Sequence, residues 1–178
     1  MTYEDTLRLF FALSCPPEQA AAICDWRDRQ SLGGRPVPLE NLHLTLAFLG
    51  AQPEADLEAI RQLAADIVSP GFELVLNRLI TLGKGFVCLA PTEAPPALLH
   101  LAASLAERLA ALGLVLDSRP YLPHMTLTRQ AATRVRGAAA RFSWKAERFV
   151  LYQSQNTPDG VRYRELGSWP LHPAAVPG

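Results

Sequence analysis

Asn41-Leu42-His43-Leu44-Thr45-Leu46-Ala47-Phe48-Leu49-Gly50 is the stretch on which the fold turns, and Pro123-His124-Met125-Thr126-Leu127 repeats its centre. Each copy holds His-x-Thr-Leu, and two of the four histidines of the chain fall in the pattern. Side chains alternate faces along a strand, so a strand over Leu42 to Leu49 points His43 and Thr45 one way and Leu42, Leu44, Leu46 and Phe48 the other. In the second copy His124, Thr126 and Thr128 share one face, with Met125 and Leu127 opposite. The two histidines stand 81 residues apart, and the loops before them both carry Arg-Pro, at Arg35-Pro36 and Arg119-Pro120. An internal duplication about a pseudo-twofold axis is the economical reading.

The flanking segments follow the same order twice. Leu7 to Leu13 reads as a buried strand, halted by Pro16 and Pro17, which favour the first turn of a helix reaching about Gln30. After the second strand, Glu54, Asp56 and Glu58 load the start of a helix with acid, and Pro70-Gly71 stops it. Strands are expected over Phe72 to Leu82 and Phe86 to Leu89. Pro95-Pro96 opens a helix with Leu98, Leu101, Ala102, Leu105 and Leu109 on one stripe. Strands are expected again at Leu114 to Leu116, Leu122 to Arg129, Phe142 to Gln153 and Val161 to Glu165, with Ala131 to Arg141 the flexible stretch. This order predicts an α+β fold: a bilobal, pseudo-twofold unit in which each lobe is an antiparallel-rich sheet with helices on its outer face around a central cleft. Residues 1–178 form one domain of two intertwined lobes in this reading.

Composition narrows the chemistry. The 178 residues are 49% hydrophobic and 19% charged, with 17 Lys plus Arg against 17 Asp plus Glu, which excludes a disordered chain and a basic coat for duplex DNA. The balance is uneven: residues 1–116 hold 8 basic and 13 acidic residues, and residues 117–178 hold 9 and 4. The cationic excess is therefore expected to border the cleft. Cys15, Cys24 and Cys88 lack CxxC spacing, so neither a disulfide framework nor a zinc site is expected, and a cytoplasmic monomer is the simplest setting. No apolar run approaches the length of a membrane span.

Two imidazoles and two hydroxyls converging on a small space suit a phosphate. One neutral histidine can take a proton from water or a hydroxyl while the other, protonated, supplies a departing alkoxide, and an unperturbed pKa of about 6.5 gives both forms near neutrality. Thr45 and Thr126 would hold non-bridging oxygens, and Arg129 would offset charge in the transition state. Arg119, Tyr121, Phe48 and Phe11 are candidate contacts to RNA or a base, although the two phenylalanines also fit a core. Arg119 ranks above Arg35 because it lies nearer its motif histidine. Neither a metal nor a cofactor is expected, since no HExxH or carboxylate accompanies the motifs. Symmetry leaves open which imidazole is acid and which is base.

Four stretches carry a specific likeness: RLFFAL at 8–13, NLHLTLAFLG at 41–50, RPYLPHMTL at 119–127 followed by Arg129, and VRYRELGSWPL at 161–171. The chain resembles the RNA 2′,3′-cyclic phosphodiesterases, or 2′-5′ RNA ligases, of the 2H phosphoesterase superfamily. The resemblance implies metal-independent hydrolysis of an RNA or nucleoside 2′,3′-cyclic phosphate to a 2′-phosphate, with reversible 2′-5′ ligation. It implies His43 as proton donor to the 3′ oxygen and His124 as the acceptor that activates water. Other readings are a phosphodiesterase for 2′-5′ oligonucleotides or ADP-ribose cyclic phosphate, and a catalytically silent RNA- or nucleotide-binding module.

Overall fold

The computed structural model describes residues 5–172. Among these, two antiparallel sheets carry nine strands: β1 (Thr6–Ser14), β2 (Arg35–Pro36), β3 (His43–Pro53), β4 (Phe72–Leu82), β5 (Phe86–Ala90), β6 (Met125–Arg129), β7 (Gly137–Ala146), β8 (Arg148–Thr157) and β9 (Gly160–Pro170). Three helices accompany them: α1 (Pro17–Asp28), α2 (Leu57–Ala65) and α3 (Pro96–Ala111). One sheet has the order β3-β1-β8-β9 and the other β2-β6-β5-β4-β7. The α+β class and the duplicated β-α-β order are as read from the sequence. The two halves of the chain do not, however, map onto the two sheets, because the first sheet joins the first strands to the last.

Pro17 starts α1 at its first turn, with Glu18 at the positive end of the dipole and Arg27 at the negative end. The helices trade places. α1 leaves β1 of the first sheet but packs on β7 of the second, where Trp26 meets Phe142 edge-on at 5.7 Å. α3 leaves β5 of the second sheet but packs on β3 of the first. Leu98, Leu101, Leu105 and Leu109 of α3 are fully buried in a core cluster shared with Leu9, Phe11, Leu44, Leu74 and Met125. This exchange of α1 and α3 locks the lobes together, while α2, which follows β3, stays with the first sheet against β9. No helix among the described residues is long and apolar enough to cross a membrane.

Three expectations about elements are corrected. Leu114 to Leu116 form no strand, and β6 begins only at Met125. The run read as one strand from Phe142 to Gln153 is two, because the chain passes from the second sheet to the first at Glu147. A strand leaving one sheet for another keeps its apolar alternation, so the crossing is silent in hydropathy. Part of the stretch expected to be flexible, from Gly137 to Arg141, belongs to β7, paired with β4 near Leu79.

Candidate active site

β3, the edge strand of the first sheet, and β6, second in the other sheet behind the two-residue β2, carry the two motifs and touch. The imidazoles are fixed alike. His43 Nδ1 donates to the Asn41 carbonyl at 2.8 Å, and His124 Nδ1 donates to the Leu122 carbonyl at 2.7 Å. A carbonyl can only accept, so each ring carries its resident proton on Nδ1 and leaves Nε2 as the nitrogen that exchanges protons. His43 Nε2 lies 3.0 Å from Thr45 Oγ1. Asn41 is itself buried and donates through Nδ2 to the Val161 carbonyl at 2.9 Å, which ties this motif to β9.

Both motif strands contain the same irregularity. In β3, Thr45 pairs with Ala12 and Ala47 with Phe11, leaving Leu46 as the extra residue of a bulge. In β6, Thr126 pairs with Cys88 and Thr128 with Val87, leaving Leu127 as the extra residue. A bulge reverses the alternation beyond it. Phe48 therefore turns to the face of His43 and Thr45, opposite Phe10, and is 56% exposed, against the sequence expectation that it packs with the leucines. Thr128 turns inward instead of sharing the face of Thr126: it is buried and donates to the Gly33 carbonyl at 2.9 Å. Arg129 takes the open face. Each motif thus presents the residue five positions past its histidine to the cleft, aromatic in one copy and cationic in the other.

The first sheet walls His43 with aromatic rings. Its imidazole lies 4.9 Å from the Phe10 ring and meets Tyr163 edge-on at 5.1 Å. Arg129 Nη2 reaches across to donate to Tyr163 Oη at 3.4 Å. Burial lowers the His43 pKa from 6.5, partly countered by the Asn41 carbonyl, and the charges on Arg129 and His124 lower it further. In the free protein this ring favours its neutral form. On β5, the buried Cys88 thiol stands 3.7 Å from Thr126 Oγ1, and burial pushes its pKa up to about 11, so it stays protonated beside the motif hydroxyl.

Other candidates sit differently. Phe11 is fully buried between Phe149 and Trp169, because it occupies the core face of β1. Tyr121 packs against the core and donates its phenol to the Thr45 carbonyl at 2.8 Å, so it braces the first motif from the loop of the second. Burial drives its pKa well above the usual phenol value. Arg119 is exposed and forked onto Asp117. The expected cationic border is correspondingly thin: Arg141 faces Glu73, Arg148 binds Glu165, and Arg134 donates to the carbonyls of Thr81 and Gly83. Sequence reasoning missed Asn41, Phe10 and Tyr163. Asn41 acts through its backbone carbonyl, which leaves no side-chain signature, and the rings become neighbours of His43 only through the pairing of β1, β8 and β9. Among the described residues no group of three or more His, Cys, Asp or Glu side chains is placed to hold a metal ion.

Comparison with known proteins agrees with this geometry. The chain is 37% identical to the RNA 2′,3′-cyclic phosphodiesterase of Escherichia coli (strain K12), over 92% of this chain and 96% of that protein. It is 32% identical to the protein of the same name from Thermus thermophilus, over 93% and 90%. The crystal structure of E. coli LigT complexed with 3′-AMP superposes with a TM-score of 0.87 at 36% identity, covering 94% of this chain and 99% of that one. With the sequence model of the family matching residues 15–158, and two His-x-Thr strands meeting at the seam of a duplicated fold, the chain belongs to the 2′-5′ RNA ligase superfamily.

Proposed function

We propose that this protein hydrolyses RNA or nucleoside 2′,3′-cyclic phosphates to 2′-phosphates without a metal, as a cytoplasmic monomer. The observation that carries the reading is the pair of imidazoles held by backbone carbonyls in one tautomer, which leaves Nε2 of each as the proton-exchanging nitrogen, that of His43 beside the Thr45 hydroxyl. His124 Nε2 takes a proton from water as the water oxygen bonds to phosphorus. The bond from phosphorus to O3′ breaks, and His43 Nε2–H supplies that oxygen, leaving a 3′-hydroxyl and a 2′-phosphate. Atoms and charge balance with one water consumed and one proton passed through each ring. Donation needs His43 protonated, and the anionic ester favours that form against the burial that opposes it. Thr45 and Thr126 hydroxyls hold non-bridging oxygens, and Arg129 offsets charge as the pentacoordinate state forms. Replacing water by the 5′-hydroxyl of a second RNA gives a 2′-5′ linkage by the same steps.

Phe48 is the base platform in this reading: its ring is exposed on the histidine face, with the Arg8 guanidinium 5.9 Å from its centroid. The relatives named for RNA 2′,3′-cyclic phosphodiesterase activity, and the 3′-AMP complex of E. coli LigT, support a nucleotide at this cleft. The test incubates the protein and EDTA with an oligonucleotide ending in a 2′,3′-cyclic phosphate. A 2′-phosphate product, lost in both His43→Ala and His124→Ala, is expected. Inhibition by the chelator, a 3′-phosphate product, or binding without turnover would each overturn it.

A further inference from the structure

Arg35 ranked low in the sequence because it lies eight residues before His43, yet the fold carries it to the other motif. β2 pairs with β6 so that Arg35 stands directly opposite Arg129, and Pro36 opposite Thr128. Residues directly opposite in an antiparallel pair project from the same face, so two guanidinium side chains stand side by side on the cleft side of β6. Like charges in that position repel. Among the described residues neither arginine has a carboxylate within ion-pair distance.

The molecule holds this unfavourable pair in place with several contacts. Val37 N–H donates to the Leu127 carbonyl at 2.9 Å, and Thr128 Oγ1 donates to the Gly33 carbonyl. Gly34, at φ +72°, lets the loop press so close to β6 that an added Cβ would overlap the Arg129 carbonyl. From behind, the buried Arg27 donates to the carbonyls of Val37 at 2.6 Å and Leu127 at 3.3 Å. A two-residue strand with this much support is a built feature, and what it presents is Arg35.

The two arginines are not equivalent. Arg129 reaches to Tyr163, whose ring touches His43, and so leans to the reaction centre. Arg35 lies one strand further out, at the edge of the sheet, and Arg129 is three residues beyond Thr126, roughly 10 Å along the strand. An arginine there sits beyond the ester held by the histidines. The connectivity of ribose supplies the ligand. With the 2′,3′-cyclic phosphate at the centre, C1′ beside C2′ carries the base to one flank, and C4′ beside C3′ carries the 5′ arm to the other. The duplicated bulges place Phe48 and Arg129 on these two flanks.

We propose that Arg35, with Arg129, forms a second phosphate subsite that takes the 5′-phosphate of the nucleotide bearing the cyclic ester. This rests on the cyclic phosphodiesterase reading and names its substrate class: RNA ends and 5′-phosphorylated nucleotides in preference to nucleosides. Such a pair offers paired, charge-assisted contacts to phosphate.

The experiment compares kcat/KM for adenosine 2′,3′-cyclic phosphate and for the same compound carrying a 5′-phosphate, in wild type, Arg35→Gln and Arg35→Lys. Wild type is expected to prefer the 5′-phosphorylated ester, and Arg35→Gln to reduce that preference by roughly tenfold or more, chiefly through KM. Arg35→Lys should restore part of it, and the salt dependence on the 5′-phosphorylated ester should weaken by about one charge in Arg35→Gln. Thermal melting of each variant reports folding, and the ratio of two substrates on one preparation cancels any loss of active protein. An unchanged ratio in Arg35→Gln overturns the subsite while leaving the phosphodiesterase reading intact. Failure of wild type to open either ester overturns both.

Discussion

Gly33 and Gly34 share one backbone conformation, φ +72°, but only one of them faces protein. A Cβ on Gly33 meets nothing within 4 Å, whereas a Cβ on Gly34 would overlap the Arg129 carbonyl and lie 2.9 Å from Ala131 N and 3.0 Å from Thr128 Oγ1. Alanine at either position carries the left-handed backbone cost, about 1–2 kcal/mol, softened by the smaller entropy of the unfolded chain. Gly34→Ala must also push β2 away from β6. That loosens the Val37 N–H bond to Leu127 and the Thr128 bond to Gly33, each worth about 1 kcal/mol, and leaves a buried hydroxyl unsatisfied for about 1–3 kcal/mol more. Gly34→Ala is therefore expected to cost about 4–6 kcal/mol and Gly33→Ala about 1 kcal/mol. At about 2–4 °C per kcal/mol for a chain of this size, thermal unfolding should separate the two variants by at least about 6–12 °C. Activity on a 5′-phosphorylated cyclic ester should fall further in Gly34→Ala, since Arg35 moves with β2. Equal melting temperatures for the two variants would refute the close packing of this loop on β6.

Four further outcomes follow from the site. His43 has a lowered folded pKa, so its contribution to stability is complete above about 6.5, where both states are neutral, and is lost as pH falls from there through the lowered folded value; His43→Gln should flatten that fall in thermal melts. NMR titration should show the same ring titrating below 6.5 in free protein and rising when inorganic phosphate is bound, and a titration unchanged by phosphate would contradict the proposed site. A 3′-deoxynucleoside 2′-(4-nitrophenyl phosphate) puts in the place of O3′ a leaving group that needs no proton, so His43→Ala should keep most of its wild-type rate on it while His124→Ala loses roughly 10²–10⁴-fold; the opposite pattern would exchange the two roles. Tyr121→Phe removes the phenol bond to the Thr45 carbonyl while keeping the ring in place, and should lower stability by about 1 kcal/mol by denaturant titration.

The residues that carry the proposed chemistry were legible in the chain because histidine and threonine recur at one spacing in matching surroundings, and strand periodicity places both on one face. Helix starts at Pro17 and Pro96 were legible for a local reason, the fixed φ of proline. The alternation failed just beyond each motif. Leu46 and Leu127 are apolar residues in apolar strands, and nothing in their identity announces a bulge, which arises from the register of a partner strand. Two assignments changed on that account alone: Phe48 came out of the core and Thr128 went into it. The bulge opposite Phe11 and Ala12 adds its residue to β3, so β1 keeps its alternation and Phe11 stays with Leu13 on the core face.

Distance along the chain misled most over the arginines. Proximity to the motif histidine favoured Arg119, but an exposed Arg beside Asp117 satisfies itself locally. Arg35, bound to the first motif by sequence, belongs in space to the second, because the loops before the motifs cross between lobes and brace each other's strands. The net charge of each half was equally blind to this, since ion pairs and carbonyl contacts absorb Arg134, Arg141 and Arg148. Composition and periodicity report which residues can do chemistry and which face they share within one strand. Which strands become neighbours, where the register slips, and which charges are left facing a ligand depend on long-range pairing and on the exchange of helices between sheets, and no local window contains that information.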